Sequence, residues 1–301
     1  MYYFLVITPF ILVIVSLIVY LVYSYDKIYN FLPPNVERFS KRNSSLLSSG
    51  HYKNYLASVD PNIYKVKCPT YKNNFVLDYS RNIKNLPNKY NSLVSTYIKH
   101  ANKVTHDLPI FRKEPWNIYL SINNLEMNMP YTIDNYIIVS LKDIKDLYPS
   151  FKKGHIDNHF VNTLVHEKIH VIQRNRQRIF DKFYKQYYSN FIDSQYNKEI
   201  PKKLRETNMN NPDSNNTHWI YKYNQKKYLP LLTHTNGSVT EIGYNIKNVN
   251  DIIYLNSIKK KFGFDNHISF YHPNEIFACE VAHQIMTNKL ENKYKNLLKR
   301  L

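Results

Sequence analysis

His166 and His170 stand four residues apart in "VNTLVHEKIHVIQRNRQR" (161–178), with Glu167 directly after the first histidine. On an α-helix, positions i and i+4 share one face about 6 Å apart, so the two imidazoles can clamp a single ion. Neutral imidazole is a good zinc ligand, and zinc prefers four donors in a tetrahedron. Glu167 lies roughly 100° further round the helix, where its carboxylate reaches a water activated by the ion rather than the ion itself. The bland alternative is a pair of satisfied core histidines. Val161, Leu164, Val165, Ile169 and Val171 give the segment a buried apolar side, as a site in a cleft requires.

A catalytic zinc site needs a third protein ligand and one open position. A local third ligand, in the pattern H-E-x-x-H-x-x-G-x-x-H, would put Gly at 173 and His at 176. The chain has Gln173 and Arg176 there, so the ligand must lie downstream. The segment "YHPNEIFACEVAH" (271–283) supplies candidates on a helix that begins after Pro273. Glu275 shares a face with Cys279, while Glu280 and His283 point away by about 140° or more. Glu275 is the favoured third ligand, with Glu280, His272, His283 and Glu241 as alternatives. As a purely structural feature Glu275 would do no more than complement the helix dipole.

His166, Glu167, His170 and a helical Glu275 resemble the gluzincin branch of the zincin metallopeptidases, of which thermolysin is the familiar member. The resemblance implies His166, His170 and Glu275 as metal ligands, Zn2+ as cofactor and Glu167 as general base. It also implies an extended edge strand that pairs with a peptide substrate, for which "PYTIDNYIIVS" (130–140) is the similar stretch. "HEKIHVIQR" and "YHPNEIFA" are similar to uncharacterised metallopeptidase-like proteins of large DNA viruses. The likeness covers about a third of the chain, residues 115–180 and 265–290. Two departures stand out: 104 residues separate His170 from Glu275, so an insert must loop out between ligands, and Cys279 stands where a second-shell Asp would follow Glu275.

The chemistry expected is peptide-bond hydrolysis, with Glu167 taking a proton from the attacking water and passing it to the leaving amine. Tyr271, His272, Tyr244 and His283 are candidate donors to the oxyanion. Asn162, one turn before His166, reads as polar surface. A rival reading is a non-catalytic structural zinc site closed by a fourth ligand, His272 or His283, although such a site has no use for Glu167. A second rival concerns the partner. The run "RNRQR" (174–178) could bind nucleic acid, as in Spartan-type proteases, but these take a third histidine, and an anionic lipid surface suits the run better.

Elements must hold these groups in place. A helix is expected around 87–106, strands at 116–122 and 131–140, a helix from Ile156 to Arg178, and a last helix from Pro273. Residues 179–260 read as an insert of short pieces. The fold class expected is α+β, a zincin-like domain over 67–301 with a small sheet and an active-site helix. Before it, residues 26–66 are rich in Pro, Ser and Asn and read as a linker.

Residues 1–25, "MYYFLVITPFILVIVSLIVYLVYSY", carry no charged side chain and are long enough for a transmembrane anchor. Lys27, Arg38, Lys41 and Arg42 follow, which places the bulk of a single-pass protein on the cytosolic side of a host or virion membrane. Sequons at Asn43, Asn215 and Asn236 point the other way. The chain of 301 residues has a net charge of +18, much of it from scattered lysines in an Asn/Ile/Tyr-rich composition. That charge reads chiefly as a solvated surface. Cys68 and Cys279 make no disulfide framework and read as buried thiols.

Overall fold

The computed structural model describes residues 43–188, 190–193, 200–214, 218–235, 237–265 and 268–301. The apolar segment 1–25, its basic flank through Arg42, and the sequon asparagines Asn215 and Asn236 lie outside the described residues. Among the described residues no helix is long and apolar enough to cross a membrane. The expected fold, a membrane helix followed by a domain with a small sheet, is corrected: no such helix stands among the described residues, and the sheets number two. The described residues form thirteen α-helices and two small sheets. The expected single-pass localisation is left with no spanning helix among the described residues.

Residues 43–66, within the stretch expected as linker, fold into α1 (Asn43–Ser48), α2 (Gly50–Ser58) and, with Lys67, α3 (Tyr64–Lys67). Their apolar residues explain the difference: Leu46, Tyr52, Tyr55, Leu56, Val59 and Ile63 are buried with Phe75 and Tyr79 of α4 (Phe75–Arg81). A buried carboxylate ties this cluster down. Glu126 accepts from Lys67 Nζ at 2.6 Å, Tyr55 at 2.5 Å and Tyr79 at 2.9 Å. It does so from a loop in which Asn123, Asn124, Glu126, Met127 and Asn128 all have left-handed backbone.

The β-branched runs pair into the first sheet. β1 (Ile83–Lys84) is antiparallel to β2 (Ile118–Ser121), β2 is parallel to β4 (Tyr136–Ser140), and β3 (Tyr131–Ile133) is antiparallel to β4. The stretch 131–140, expected as one strand, is thus a hairpin. It turns at Asp134, whose φ of +54° suits the tight two-residue loop. The order β1-β2-β4-β3 leaves β3 at an edge.

Helices α5 (Asn91–Val104), α6 (Pro109–Lys113) and α7 (Leu141–Lys152) lead to α8 (Asn158–Asn175), the histidine helix. Asp157 caps α8, its carboxylate accepting from the amides of His159 and Phe160. Phe160, Val161, Leu164, Val165, Ile169, Val171 and Ile172 are buried, and α8 packs on α5. Lys168 is buried too, its ammonium donating at 2.7 Å to the carbonyls of Glu114 and Pro115 over the Trp116 ring.

The helix ends three residues before the expected Arg178, and α9 (Gln177–Tyr187) follows. Far from looping out, the described residues of 179–260 contribute many side chains to the core. Phe180, Phe183 and Tyr184 of α9 pack on Phe277. The rest forms α10 (Lys202–Arg205), α11 (Leu255–Ile258) and an antiparallel second sheet in sequence order: β5 (Phe191–Asp193), β6 (Ile220–Tyr223), β7 (Lys226–Thr235), β8 (Ser238–Asn245) and β9 (Asn248–Tyr254). The expected last helix is two, α12 (Pro273–Met286), packed on α8, and α13 (Asn292–Arg300). The break falls near Asn288, which has left-handed backbone.

Candidate metal centre

One buried face of α8 meets the first turn of α12. Pro273 starts α12, and the His272 ring caps it by accepting the Asn274 amide through Nδ1 at 3.1 Å. That start aims Glu275 at the two histidines. His166 Nε2 and His170 Nε2 are 2.9 Å apart, Glu275 Oε2 is 3.6 Å from the first and Oε1 is 3.5 Å from the second. Among the described residues this is the His/Cys/Asp/Glu group able to hold a metal ion, with its donor atoms within 4.8 Å of one another. His170 and Glu275 are buried, and the His166 side chain is 18% exposed.

The donor set fits zinc. A tetrahedral ion bonded at about 2.05 Å spaces its ligands by roughly 3.3 Å, and the three distances here fall on either side of that value. The tautomer fits as well. His170 Nδ1 lies 2.8 Å from Gln173 Oε1, an acceptor, so Nδ1 carries the proton and the Nε2 lone pair is free to ligate. Gln173 is itself held from its other end, its amide donating to the Tyr184 hydroxyl at 2.9 Å and to the Asn274 carbonyl at 3.0 Å.

Electrostatics point the same way. Burial opposes charge on His166, but Cys279 and then Glu275 outweigh it and raise the imidazole well above its ordinary value. His170 is also raised against its burial, by Asp213 and Glu275. Glu275, despite burial, is held well below the usual carboxylate range by His170 and His166. Together these groups stabilise positive charge at the point where their atoms converge. Glu167 stands beside them with Oε2 buried and without a hydrogen-bond partner. Burial, reinforced by Asp213 and opposed by the two histidines, pushes its carboxyl up to about 8.

The alternatives considered for the third ligand have other work. Glu280 accepts from Tyr188 and Tyr294, Glu241 accepts from Ser269 and the Phe270 amide, and His283 lies on the exposed side of α12. Of the candidate oxyanion donors, Tyr271 donates to Glu275 Oε1 at 3.1 Å, and Tyr244 is buried in the core of the second sheet. Asn162 is not polar surface, since its Oδ1 is buried.

Several residues of the shell escaped the sequence reading. Gln173 had a signal, its i+3 spacing from His170. Asn211, whose amide donates to Glu275 Oε1 at 3.0 Å, had none, because it comes from the segment between α10 and β6. Arg174, read as the start of a basic surface run, is 4% exposed in its side chain. It donates to the carbonyls of Asp134 at 2.7 Å and Thr132 at 3.2 Å and lies 3.6 Å from the Asp213 carboxylate. The strongest charge of "RNRQR" is therefore spent inside the fold. Arg176 of the same run lies 3.6 Å from Glu114.

Comparison with protein-family models, with curated proteins and with solved structures finds no match in any of the three.

Proposed function

We propose that the chain is a zinc-dependent peptidase resembling the gluzincins, with His166, His170 and Glu275 as metal ligands and Glu167 as general base. The observation that carries this reading is the convergence of three donor atoms, two of them on buried side chains, beside a buried carboxylate whose Oε2 has no hydrogen-bond partner. An ion held by two neutral imidazoles and one carboxylate keeps net positive charge, which acidifies a water and polarises a substrate carbonyl.

The chain's own residues do the rest. Gln173 holds His170 in the ligating tautomer, and Tyr271 and Asn211 hold the Glu275 carboxylate by its Oε1. Glu167 takes a proton from the attacking water, and the oxygen adds to the scissile carbonyl. The same carboxyl then gives that proton to the leaving nitrogen as the C–N bond breaks. One water is consumed and one carboxyl and one amine are formed. Position suits Glu167 to this exchange, because its Oε2 is buried beside the two histidines and has no hydrogen-bond partner.

The competing reading, a structural zinc staple, draws on Cys279, which is half-buried against His166 but lies outside the group of converging donor atoms. It leaves Glu167 without a role. Elemental analysis of the full chain under non-chelating conditions, with peptide hydrolysis measured alongside, separates the outcomes. One zinc per chain, kept by Glu167→Gln with hydrolysis lost and weakened by Glu275→Ala, is expected. Zinc lost on Cys279→Ser, with no hydrolysis by the wild type, would favour the staple. No zinc in the wild type would end both readings.

A further inference from the structure

Thermolysin-like recognition lays an extended peptide along a free strand edge, using main-chain hydrogen bonds. Here the equivalent edge is β3, and its outward-facing groups are already taken. In an antiparallel pair, alternate residues face the partner strand, so between Tyr131 and Ile133 it is Thr132 that faces outward. The Thr132 amide donates to Asp213 Oδ1 at 3.0 Å, and its hydroxyl donates to the same oxygen. The Thr132 and Asp134 carbonyls both accept from the Arg174 guanidinium. Pro130, the next outward position, has no N–H to offer.

The seal is built in. Arg174, Thr132 and Asp213 are all buried in their side chains. The segment carrying Asp213 is fastened to the second sheet, the Met209 amide donating to the Leu232 carbonyl at 2.7 Å and the His234 amide to the Thr207 carbonyl at 2.8 Å.

Beside the seal is a recess that shares Asn211 and Tyr271 with the shell of Glu275, and Asn208, His218, Trp219 and Leu231 complete its polar and apolar sides. No Lys, Arg, Asp or Glu lines it among the described residues. Burial lowers His218 below its ordinary value, which keeps its ring neutral at pH 7.

We infer that this site takes short peptide segments by the side chains next to the scissile bond, with a small uncharged hydrogen-bonding group at the recess, and without strand addition to β3. The inference rests on the peptidase reading for its chemistry, but its binding mode can be tested without turnover. Short or locally exposed segments are then the substrate class, because a long extended chain has no free edge to pair with.

The zinc-loaded Glu167→Gln full chain would be titrated calorimetrically with a nested series of end-capped peptides of about three to ten residues, each with Gln, Asn or Ser beside the central bond. Affinity should level off within about four residues, and amide exchange at 131–134 should stay unchanged on binding. His218→Leu, which removes a polar group from the recess, should weaken binding about three- to tenfold. Leu232→Trp, which fills the recess, should weaken it at least as much.

Affinity that keeps climbing with each added pair of residues, with new exchange protection at 131–134, would overturn the inference. So would the absence of binding by every peptide. Peptides that bind in the expected manner but are left intact by the zinc-loaded wild type would sink the peptidase reading and leave the binding mode standing.

Discussion

At the scale of residues, the candidate centre is a problem of charge in a buried place. Glu167 shows it most plainly. Its folded value of about 8 lies above the ordinary glutamate value of 4.5. Between the two, the folded chain holds a proton that the unfolded chain releases. Stability of the metal-free protein therefore falls as pH rises through that window, by up to a few kcal/mol. Glu167→Gln should remove this slope: after chelation, the variant should melt above the wild type at pH 8 and close to it at pH 5. An equal difference at both pH values would show that the carboxyl is not raised. Gln173 acts on the metal through His170. Gln173→Leu should weaken zinc binding about 10- to 100-fold in a chelator competition. Nitrogen NMR of the metal-free chain should then find His170 in mixed tautomers, where the wild type has the proton on Nδ1. A variant that loses thermal stability but keeps both the affinity and the tautomer would reduce Gln173 to packing.

At the scale of elements, what matters is how α8, α12, β3 and the 211–214 segment are pinned to one another. Asp213 is the common pin, accepting from Thr132 on β3 and lying beside Arg174 on α8, while its own carbonyl accepts from Asn274 on α12 at 2.9 Å. Breaking a buried pair by removing one partner strands the other charge and costs about 3–5 kcal/mol. Asp213→Ala should therefore lower the unfolding free energy from denaturant titration by an amount of that order, whereas Lys142→Ala, at an exposed helical pair with Asp146, should leave it nearly unchanged. Similar small shifts for both would mean that Arg174 finds compensation elsewhere.

At the scale of the whole molecule, 104 residues intervene between the two halves of the candidate metal site, and the chain between them packs against it. That stretch contributes Asn211 and Asp213, and its second sheet carries the recess. A zinc ion bound to α8 and α12 would stabilise only the assembled molecule, so its binding free energy would be folding free energy. The net charge of +18 belongs mostly to exposed lysines, and one arginine that looked available for an anionic partner is buried against β3.

Much of the centre was legible because it is local. The i, i+4 spacing of His166 and His170 and the start of a helix at Pro273 depend on backbone geometry that operates within a few residues. The strand regions and the histidine helix could likewise be read from periodicity. The core that residues 43–66 and the described part of 179–260 help to build escaped that reading because tyrosine carries both an apolar ring and a hydroxyl. Pattern alone cannot say whether Tyr52, Tyr55 or Tyr184 faces the core. The hairpin at Asp134, the burial of Arg174 and the roles of Asn211 and Asp213 were beyond sequence reading for a different reason. Each depends on which distant backbone group has an unmet hydrogen bond, and only the assembled chain brings those groups together.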